Sequence, residues 1–90
     1  MRDAPKEEHL TRYWLKFSRL ATPHPLNLGC GVTAWSLDDA LRLIRSVFPD
    51  LSLGPPIEII QNIDVSTLDP GHVLPNMGDV TLRGVWWPRS

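Results

Sequence analysis

The sequence predicts an α+β domain in which one helix packs on one face of a mixed four-stranded sheet. Apolar residues alternate with polar ones in strand-like segments, and they recur at three- and four-residue intervals in one helix-like segment. The chain has 90 residues, of which 42% are hydrophobic, so it can bury one hydrophobic core. We therefore expect residues 10–90 to form a single domain that follows a flexible leader at residues 1–9.

Two strands are predicted before the helix. The first covers residues 10–17, where alternate side chains divide between two faces and include aromatic residues. Pro23 and Pro25 end this strand, because proline removes backbone donors and keeps the preceding residue extended. Residues 26–35 are predicted to form the second strand, with Cys30 between two glycines. One face of the first strand carries Thr11, Tyr13, Leu15 and Phe17, and the other carries Leu10, Arg12, Trp14 and Lys16.

The helix is predicted between Ser36 and Pro49. Ser36 suits the N-cap position, and Asp39 follows three residues later as an acidic variant of the capping box. Acidic side chains in this first turn also stabilise the positive end of the helix dipole. Pro49 ends the helix. The apolar stripe consists of Leu37, Ala40, Leu41, Ile44, Val47 and Phe48.

The remaining strands are predicted at residues 57–65 and 80–87, separated by an irregular connection rich in proline and glycine. In the first of them, one face, which we expect to contact the core, carries Ile57, Ile59, Ile63 and Val65. The order strand, strand, helix, strand, strand is similar to a β-grasp arrangement, the nearest common template. A split βαβ fold with a second helix is the alternative.

Charge and composition limit the classes of partner. Nine basic and ten acidic side chains give a formal net charge of −1, so nothing draws the chain generally toward nucleic acid or an anionic membrane. No run approaches the ~20 apolar residues of a membrane-spanning helix. The single Cys30 cannot form an internal disulfide, which fits a reducing, cytoplasmic compartment. Closely spaced metal ligands and a complete P-loop are both missing from the sequence, so we predict neither a metal nor a cofactor.

One face of the sheet is predicted to be open, because a single helix covers only the other face. This open face would carry Arg12, Trp14 and Lys16 from the first strand and Arg83 and Trp87 from the last. Aromatic and cationic side chains together are typical of stacking surfaces and protein interfaces. Three interpretations stay open: tryptophans that are solvated or packed under loops, a protein-binding or self-association face, and a nucleic-acid-binding face. Two acidic residues of the third strand argue against the last.

The long connection at residues 66–79 supplies a second candidate site. Asp69, His72 and Asn76 lie within eight residues, and Cys30 could provide a thiolate. These residue types could together form the active site of a cysteine-dependent enzyme. That chemistry needs the thiol and the imidazole within hydrogen-bond reach, which spacing alone does not specify. The simpler interpretation buries Cys30 as a small apolar residue and makes Asp69 and Asn76 turn residues that bind backbone groups.

Three stretches resemble a set of small bacterial proteins that have no assigned activity. They are residues 26–34 (LNLGCGVTA), 64–78 (DVSTLDPGHVLPNMG) and 83–88 (RGVWWP). The resemblance implies a bacterial, cytosolic setting and no mechanism. We expect a non-enzymatic protein-interaction or adaptor module, such as an immunity-type protein or one partner of an operon-encoded pair. The alternative is a small Cys-dependent enzyme that uses Cys30 with His72.

Overall fold

The computed structural model describes residues 9–89, which form four strands, one α-helix and three short 3₁₀ helices. Of the predicted leader, residues 1–8 lie outside the described residues. Helix α1 (Leu37–Val47) connects the second strand to the third. The 3₁₀ helices are Pro25–Leu28, Val65–Thr67 and Leu74–Asn76. The strands are β1 (Thr11–Lys16), β2 (Cys30–Ala34), β3 (Glu58–Gln61) and β4 (Gly84–Trp87).

The four strands form one sheet in the order β3-β1-β2-β4. All three pairs are antiparallel, whereas the sequence predicted a mixed sheet. The direction of a strand depends on how its connection returns to the sheet, and this cannot be read from the periodicity of the strand itself. The α+β class, with one helix packed on a four-stranded sheet, is confirmed. The more specific β-grasp likeness is not confirmed.

Helix α1 occupies the predicted position and covers one face of the sheet. The Asp39 N–H donates a hydrogen bond of 3.1 Å to Ser36 Oγ, which caps the helix as the sequence predicted. The last helical residue precedes Pro49 by two positions, and α1 packs on β2 and β4. The first core lies between helix and sheet and contains Tyr13, Leu15, Phe17, Leu26, Cys30, Val32, Ala34, Ala40 and Ile44.

The opposite face of the sheet is covered by the connection between β3 and β4, at residues 62–83. The prediction of an open face is therefore wrong. The connection folds back over β1 and β2, because its own apolar side chains and the tryptophans of the sheet exclude water from each other. This second core contains Trp14, Ile63, Leu68, Val73, Trp86 and Trp87.

A turn at Asn62 makes β3 shorter than the predicted strand at 57–65. Asn62 has φ of 58°, a left-handed conformation that asparagine tolerates better than most residues. Its N–H donates a 2.7 Å hydrogen bond to the Arg12 carbonyl. The turn interrupts the alternation of side chains between the two sides of the sheet. Ile63 therefore enters the second core instead of the first.

The second and fourth predicted strands lose their first residues to local turns. A 3₁₀ helix precedes β2, where the sequence predicted a strand from residue 26. Before β4, Asp79 Oδ1 accepts hydrogen bonds from the Thr81 N–H at 2.8 Å and from its hydroxyl at 2.6 Å. This side-chain-to-backbone turn competes with strand geometry, and β4 therefore begins at Gly84.

Candidate functional site

Two of the five residues predicted to form a binding face are buried. Trp14 is 4% exposed and Trp87 is 7% exposed, and both belong to the second core. Neither can serve as an exposed anchor for a partner in this conformation. Of the three interpretations of this face, the one that packs the tryptophans under loops describes Trp14 and Trp87.

The cationic members of the predicted face remain near the surface of β1. Arg12 is exposed and donates from Nε to the Ile63 carbonyl at 3.2 Å, which helps to hold the chain just after β3. Lys16 is also exposed, and its Nζ lies 3.8 Å from Glu58 Oε1. Both cations therefore contact the strand β3 or its end rather than framing an exposed indole.

Glycines on either side of Cys30 make room for two indole rings. A Cβ atom at Gly29 would overlap the ring of Trp14, and one at Gly31 would overlap the ring of Trp86. Gly29 also has φ of 128°, where a side chain is strained. The glycine–cysteine–glycine sequence is thus a packing feature at the start of β2.

Trp86, which was not among the predicted site residues, is the centre of the second core. Its ring stacks on Trp14 with centroids 6.0 Å apart. Its Nε1–H donates to Thr33 Oγ1 at 3.1 Å, and that hydroxyl donates to the Val80 carbonyl at 2.7 Å. The indole therefore joins β1, β2 and the long connection.

A β-bulge places two consecutive tryptophans in the same core. The register between β2 and β4 shifts between Gly31 and Val32, which pair with Trp87 and Val85 respectively. Trp86 is the extra residue on β4. A bulge redirects side chains relative to strict alternation, so both tryptophans reach the second core.

The thiol of Cys30 and the imidazole of His72 lie on opposite sides of the sheet. Cys30 is fully buried in the first core, whereas the loop that carries His72 packs on the second core through Val73. Burial raises the pKa of the Cys30 thiol to about 12, so the thiol stays protonated at neutral pH. The structure does not bring together the nucleophile and base of the alternative hypothesis.

Alkylation of native Cys30 is expected to be slow at every pH from 5 to 9. The thiol is buried and its pKa is raised to about 12, so reagent reaches it only when the protein opens. Iodoacetamide labelling followed by mass spectrometry measures this, with the urea-unfolded protein as the reference. Fast native labelling with a midpoint below the free-thiol value of about 8.5 would contradict a buried, inactive Cys30.

Asp69, His72 and Asn76 form a self-contained turn on the surface. Asp69 Oδ1 accepts hydrogen bonds from the N–H groups of Gly71 at 2.7 Å and His72 at 3.2 Å, and His72 Nδ1 lies 3.2 Å from Asp69 Oδ2. The Gly71 N–H, followed by the His72 side chain, lowers the pKa of the Asp69 carboxyl. Asn76 Nδ2 donates to the His72 carbonyl at 2.8 Å. These contacts agree with turn residues that bind backbone groups.

Arg83 belongs to an ion pair at the start of α1. Its Nε donates to Asp39 Oδ2 at 2.9 Å, and a second guanidinium nitrogen donates to Asp39 Oδ1. The same carboxylate accepts the Trp35 N–H at 3.0 Å. The hydrogen bonds from Arg83, followed by that from Trp35, overcome desolvation and lower the pKa of Asp39 to about 2. Arg83 thus ties the end of the long connection to the helix.

Replacing Arg83 by methionine is expected to lower the free energy of unfolding at pH 7, since it removes hydrogen bonds to the charged carboxylate of Asp39. The pKa of Asp39 is lower in the folded protein than in the unfolded chain. The ion pair therefore stabilises the protein fully above the ordinary carboxyl pKa, and this stabilisation is lost as the pH falls toward about 2.

Urea unfolding of the wild type and R83M between pH 2 and pH 7 tests this prediction. The two stabilities should converge at the acid end. Arg42 provides the control, because its exposed guanidinium lies 3.8 Å from the same carboxylate, and R42M should change the stability by less than about 1 kcal/mol. A difference between the wild type and R83M that stays constant down to pH 2 contradicts the assignment.

A cleft with a volume of about 270 Å³ opens between β1, β3 and the connection that covers the second core. Three of the sequence-predicted candidates, Trp14, Lys16 and Asp69, line this cleft together. Leu28 stands at its rim and is exposed. The apolar part of the lining consists of Trp14, Leu28, Ile60, Ile63, Leu68 and Val73.

The polar groups of this cleft are already engaged in the protein's own contacts. Lys16 faces Glu58, and Asp69 binds backbone N–H groups of its own turn. The Thr67 hydroxyl donates to the Asp64 carbonyl at 2.7 Å. The cleft therefore offers a contact surface that is chiefly apolar, with one cation and one anion near its mouth.

A second depression, with a volume of about 400 Å³, lies beside Trp87 and three prolines. The Trp87 Nε1–H has no hydrogen-bond partner among residues 9–89, but it is itself buried and faces no solvent. This depression therefore presents no polar group from Trp87 to a ligand. Its lining is Pro25, Pro75, Asn76, Trp87, Pro88 and Arg89.

Comparisons with known proteins assign no function to these sites. No protein-family model, curated protein or solved structure matches the chain. Within the described part of the chain, His, Cys, Asp and Glu side chains form no group of three or more that could hold a metal ion. The helix in that part is too short and too polar to cross a membrane.

Proposed function

We propose that this protein is a non-enzymatic protein-interaction module that binds a partner through the cleft between β1, β3 and the long connection. The observation that carries the proposal is the apolar lining of a cleft of about 270 Å³. This volume lies close to the lower end of the roughly 300–1,000 Å³ that is usual for small-molecule sites, and it can accept one bulky side chain. Lys16, whose side chain is half exposed and whose Nζ lies 3.8 Å from Glu58, is the polar group of the cleft that can also contact a partner.

Binding is supported over catalysis by the state of the polar groups nearby. The thiol that the alternative enzyme would use is buried on the opposite side of the sheet, and burial raises its pKa to about 12. Asp69 and Thr67, two of the three polar residues that line the cleft, are held by hydrogen bonds within their own turns. An adaptor needs only a shaped apolar contact with a polar margin, which this cleft provides.

Selection from a random twelve-residue peptide library displayed on phage provides the test. Selected peptides should bind the wild type and shift the NMR amide signals of Ile60 and Val73 and the indole N–H signal of Trp14. The variant Leu28→Arg places a charge at the apolar rim and should weaken binding by about tenfold to a hundredfold. This change in affinity corresponds to the free energy gained by burying one large apolar side chain.

Leu82→Arg is the matched control, because Leu82 is exposed but does not line the cleft. This variant should bind the selected peptides as the wild type does. Both variants should keep the wild-type melting temperature, since the changed side chains are at the surface. Peptides that shift signals elsewhere, or that bind L28R as tightly as the wild type, would falsify the proposed function.

A further inference from the structure

Strand β3 is an edge strand whose outer side has no backbone partner among residues 9–89. The Asn62 N–H donates to the Arg12 carbonyl, so Asn62 faces β1, and alternation along the strand turns Ile60 the same way. The N–H and C=O groups of Ile59 and Gln61 therefore point away from the sheet. An additional strand could bind them.

The other edge of the sheet is partly occupied. The Gly78 N–H donates to the Trp86 carbonyl at 2.8 Å, so the long connection lies along the outer side of β4. Helix α1 packs on β2 and β4 and leaves the same face of β3 uncovered. On that face Ile59 is 40% exposed, and Ile57, which directly precedes β3, is 68% exposed. Unpaired backbone groups and exposed apolar side chains thus coincide at β3.

The edge of β3 is continuous with the cleft. Ile60 points to the side of the sheet opposite Ile59, where it pairs with Trp14 and lines the cleft. A residue of an added strand that stands opposite Ile60 would therefore lie beside the cleft mouth. Glu58 lies two residues before Ile60 and therefore on the same side of the sheet, and its carboxylate is half exposed.

We propose that the partner binds as an extended segment that adds to the edge of β3 in the antiparallel direction and directs one bulky apolar side chain into the cleft. This inference rests on the proposed function and specifies the partner's chemistry. Backbone hydrogen bonds to Ile59 and Gln61 provide affinity, and the cleft provides specificity, as in other cases of strand addition. The antiparallel direction follows the rest of the sheet and gives the more stable ladder.

The register determines a four-residue pattern in the partner. Running from its N- to its C-terminus, the segment meets Ile60, Ile59, Glu58 and Ile57 in turn. The first residue is bulky and apolar, the second and fourth are apolar, and the third is lysine or arginine because it lies opposite Glu58. A partner with this pattern presents apolar and charged groups to matching groups on both sides of β3.

A second copy of this chain fits the edge less well. In the register that pairs Ile59 with Gln61 and sets the two Ile60 side chains opposite each other, the left-handed turn at Asn62 limits the ladder to three residues, and two other registers bring unfavourable pairs together. Antiparallel pairing of two β3 strands around Ile59 would place Glu58 of one copy opposite Ile60 of the other. That register sets a carboxylate against an apolar residue at the cleft mouth, where its desolvation is unfavourable. Moving the register so that Ile57 meets Ile59 places the two Glu58 carboxylates opposite each other, which is also destabilising.

A ten-residue peptide with Phe-Val-Lys-Val at its centre and Gly-Ser flanks tests the proposal by fluorescence anisotropy. It should bind the wild type and Leu82→Arg equally, and bind Leu28→Arg about tenfold or more weakly, since its Phe fills the cleft. The sequence Phe-Val-Glu-Val should bind up to about fivefold more weakly, because it sets like charges opposite each other. N-methylation of the first Val removes the N–H that faces Ile59 and should weaken binding at least about tenfold.

N-methylation of the Lys is the matched control, because its N–H faces away from β3 and binding should change little. On the protein, Ile59→Pro should weaken binding while Ile59→Val does not, since an edge strand accepts proline where its N–H faces solvent. Binding lost in L28R but insensitive to both N-methylations overturns strand addition and leaves the cleft function standing. Binding insensitive to L28R, or no binding of the Phe-Val-Lys-Val peptide together with failure of the phage selection, overturns both.

Discussion

Replacement of Trp86 by alanine is expected to lower the free energy of unfolding by about 3–5 kcal/mol, enough to unfold much of a marginally stable domain of this size. The Trp86 side chain is 2% exposed, stacks on Trp14 and donates a hydrogen bond to Thr33. Alanine leaves a large cavity and also removes an apolar side chain of the second core, on which the long connection packs. Urea unfolding followed by circular dichroism measures the loss.

Trp86→Phe separates packing from hydrogen bonding at the same position. Phenylalanine keeps an aromatic ring against Trp14 but cannot donate to Thr33 Oγ1, so we expect a smaller loss of about 1–2 kcal/mol. Phe48→Ala changes a partly buried aromatic residue of the first core, and it should leave the near-ultraviolet signal of the stacked tryptophans intact. Equal losses in W86A and W86F would indicate that the hydrogen bond, and not the ring, stabilises the second core.

Replacement of Gly29 by alanine is expected to lower the free energy of unfolding by about 2–5 kcal/mol. The new Cβ would overlap the ring of the buried Trp14, and overpacking of a core typically lowers stability by about 1–3 kcal/mol. Gly29 also has φ of 128°, and a non-glycine residue in such a conformation adds strain of about 1–3 kcal/mol. Thermal unfolding of G29A and the wild type compares the two.

Two further glycine variants separate these effects. Gly31→Ala meets the ring of Trp86 without an unfavourable φ, so it should lower stability less than G29A. A Cβ atom at Gly54 would have no neighbouring atom within 4 Å, so G54A should be neutral or slightly stabilising. If G29A is as stable as G54A, Gly29 does not lie against the Trp14 ring as described.

The helix and the strand β1 could be predicted from the sequence because their signals are local. Ser36, the apolar stripe after it and Pro49 specify α1 within a few residues of its true ends. The alternation along β1 correctly placed Tyr13 and Leu15 opposite Trp14. In both cases the periodicity extends over enough residues to identify one face of the element.

The second core could not be predicted, because it depends on how a distant segment folds back. Periodicity places Trp14 on the opposite face of its strand from Tyr13 and Leu15 but does not show what covers it. The left-handed turn at Asn62 and the bulge at Trp86 each interrupt strict alternation. Neither feature has a strong local signal, so Ile63 was assigned to the wrong face and Trp86 was not recognised as part of this core.

The sequence predicted three of the residues that line the cleft, but it assigned them to two different sites. The sequence predicts Trp14 and Lys16 in a candidate site on the sheet and Asp69 in another in the long connection, whereas in the structure the three line the same cleft. No sequence signal marks Leu28 at its rim, because apolar residues beside a proline-rich turn are usual. Arg83 was expected beside the tryptophans, but its true partner is Asp39.

The order of strands in the sheet has a consequence for folding and unfolding rates. On one side Val32 pairs with Tyr13, 19 residues away, and on the other with Val85, 53 residues away. Because closing the longer loop orders more of the chain, we expect β1, β2 and α1 to associate first and β4 to join late. Contacts made after the transition state affect mainly the unfolding rate. Changes in the second core should therefore accelerate opening of the native protein more than they slow its formation.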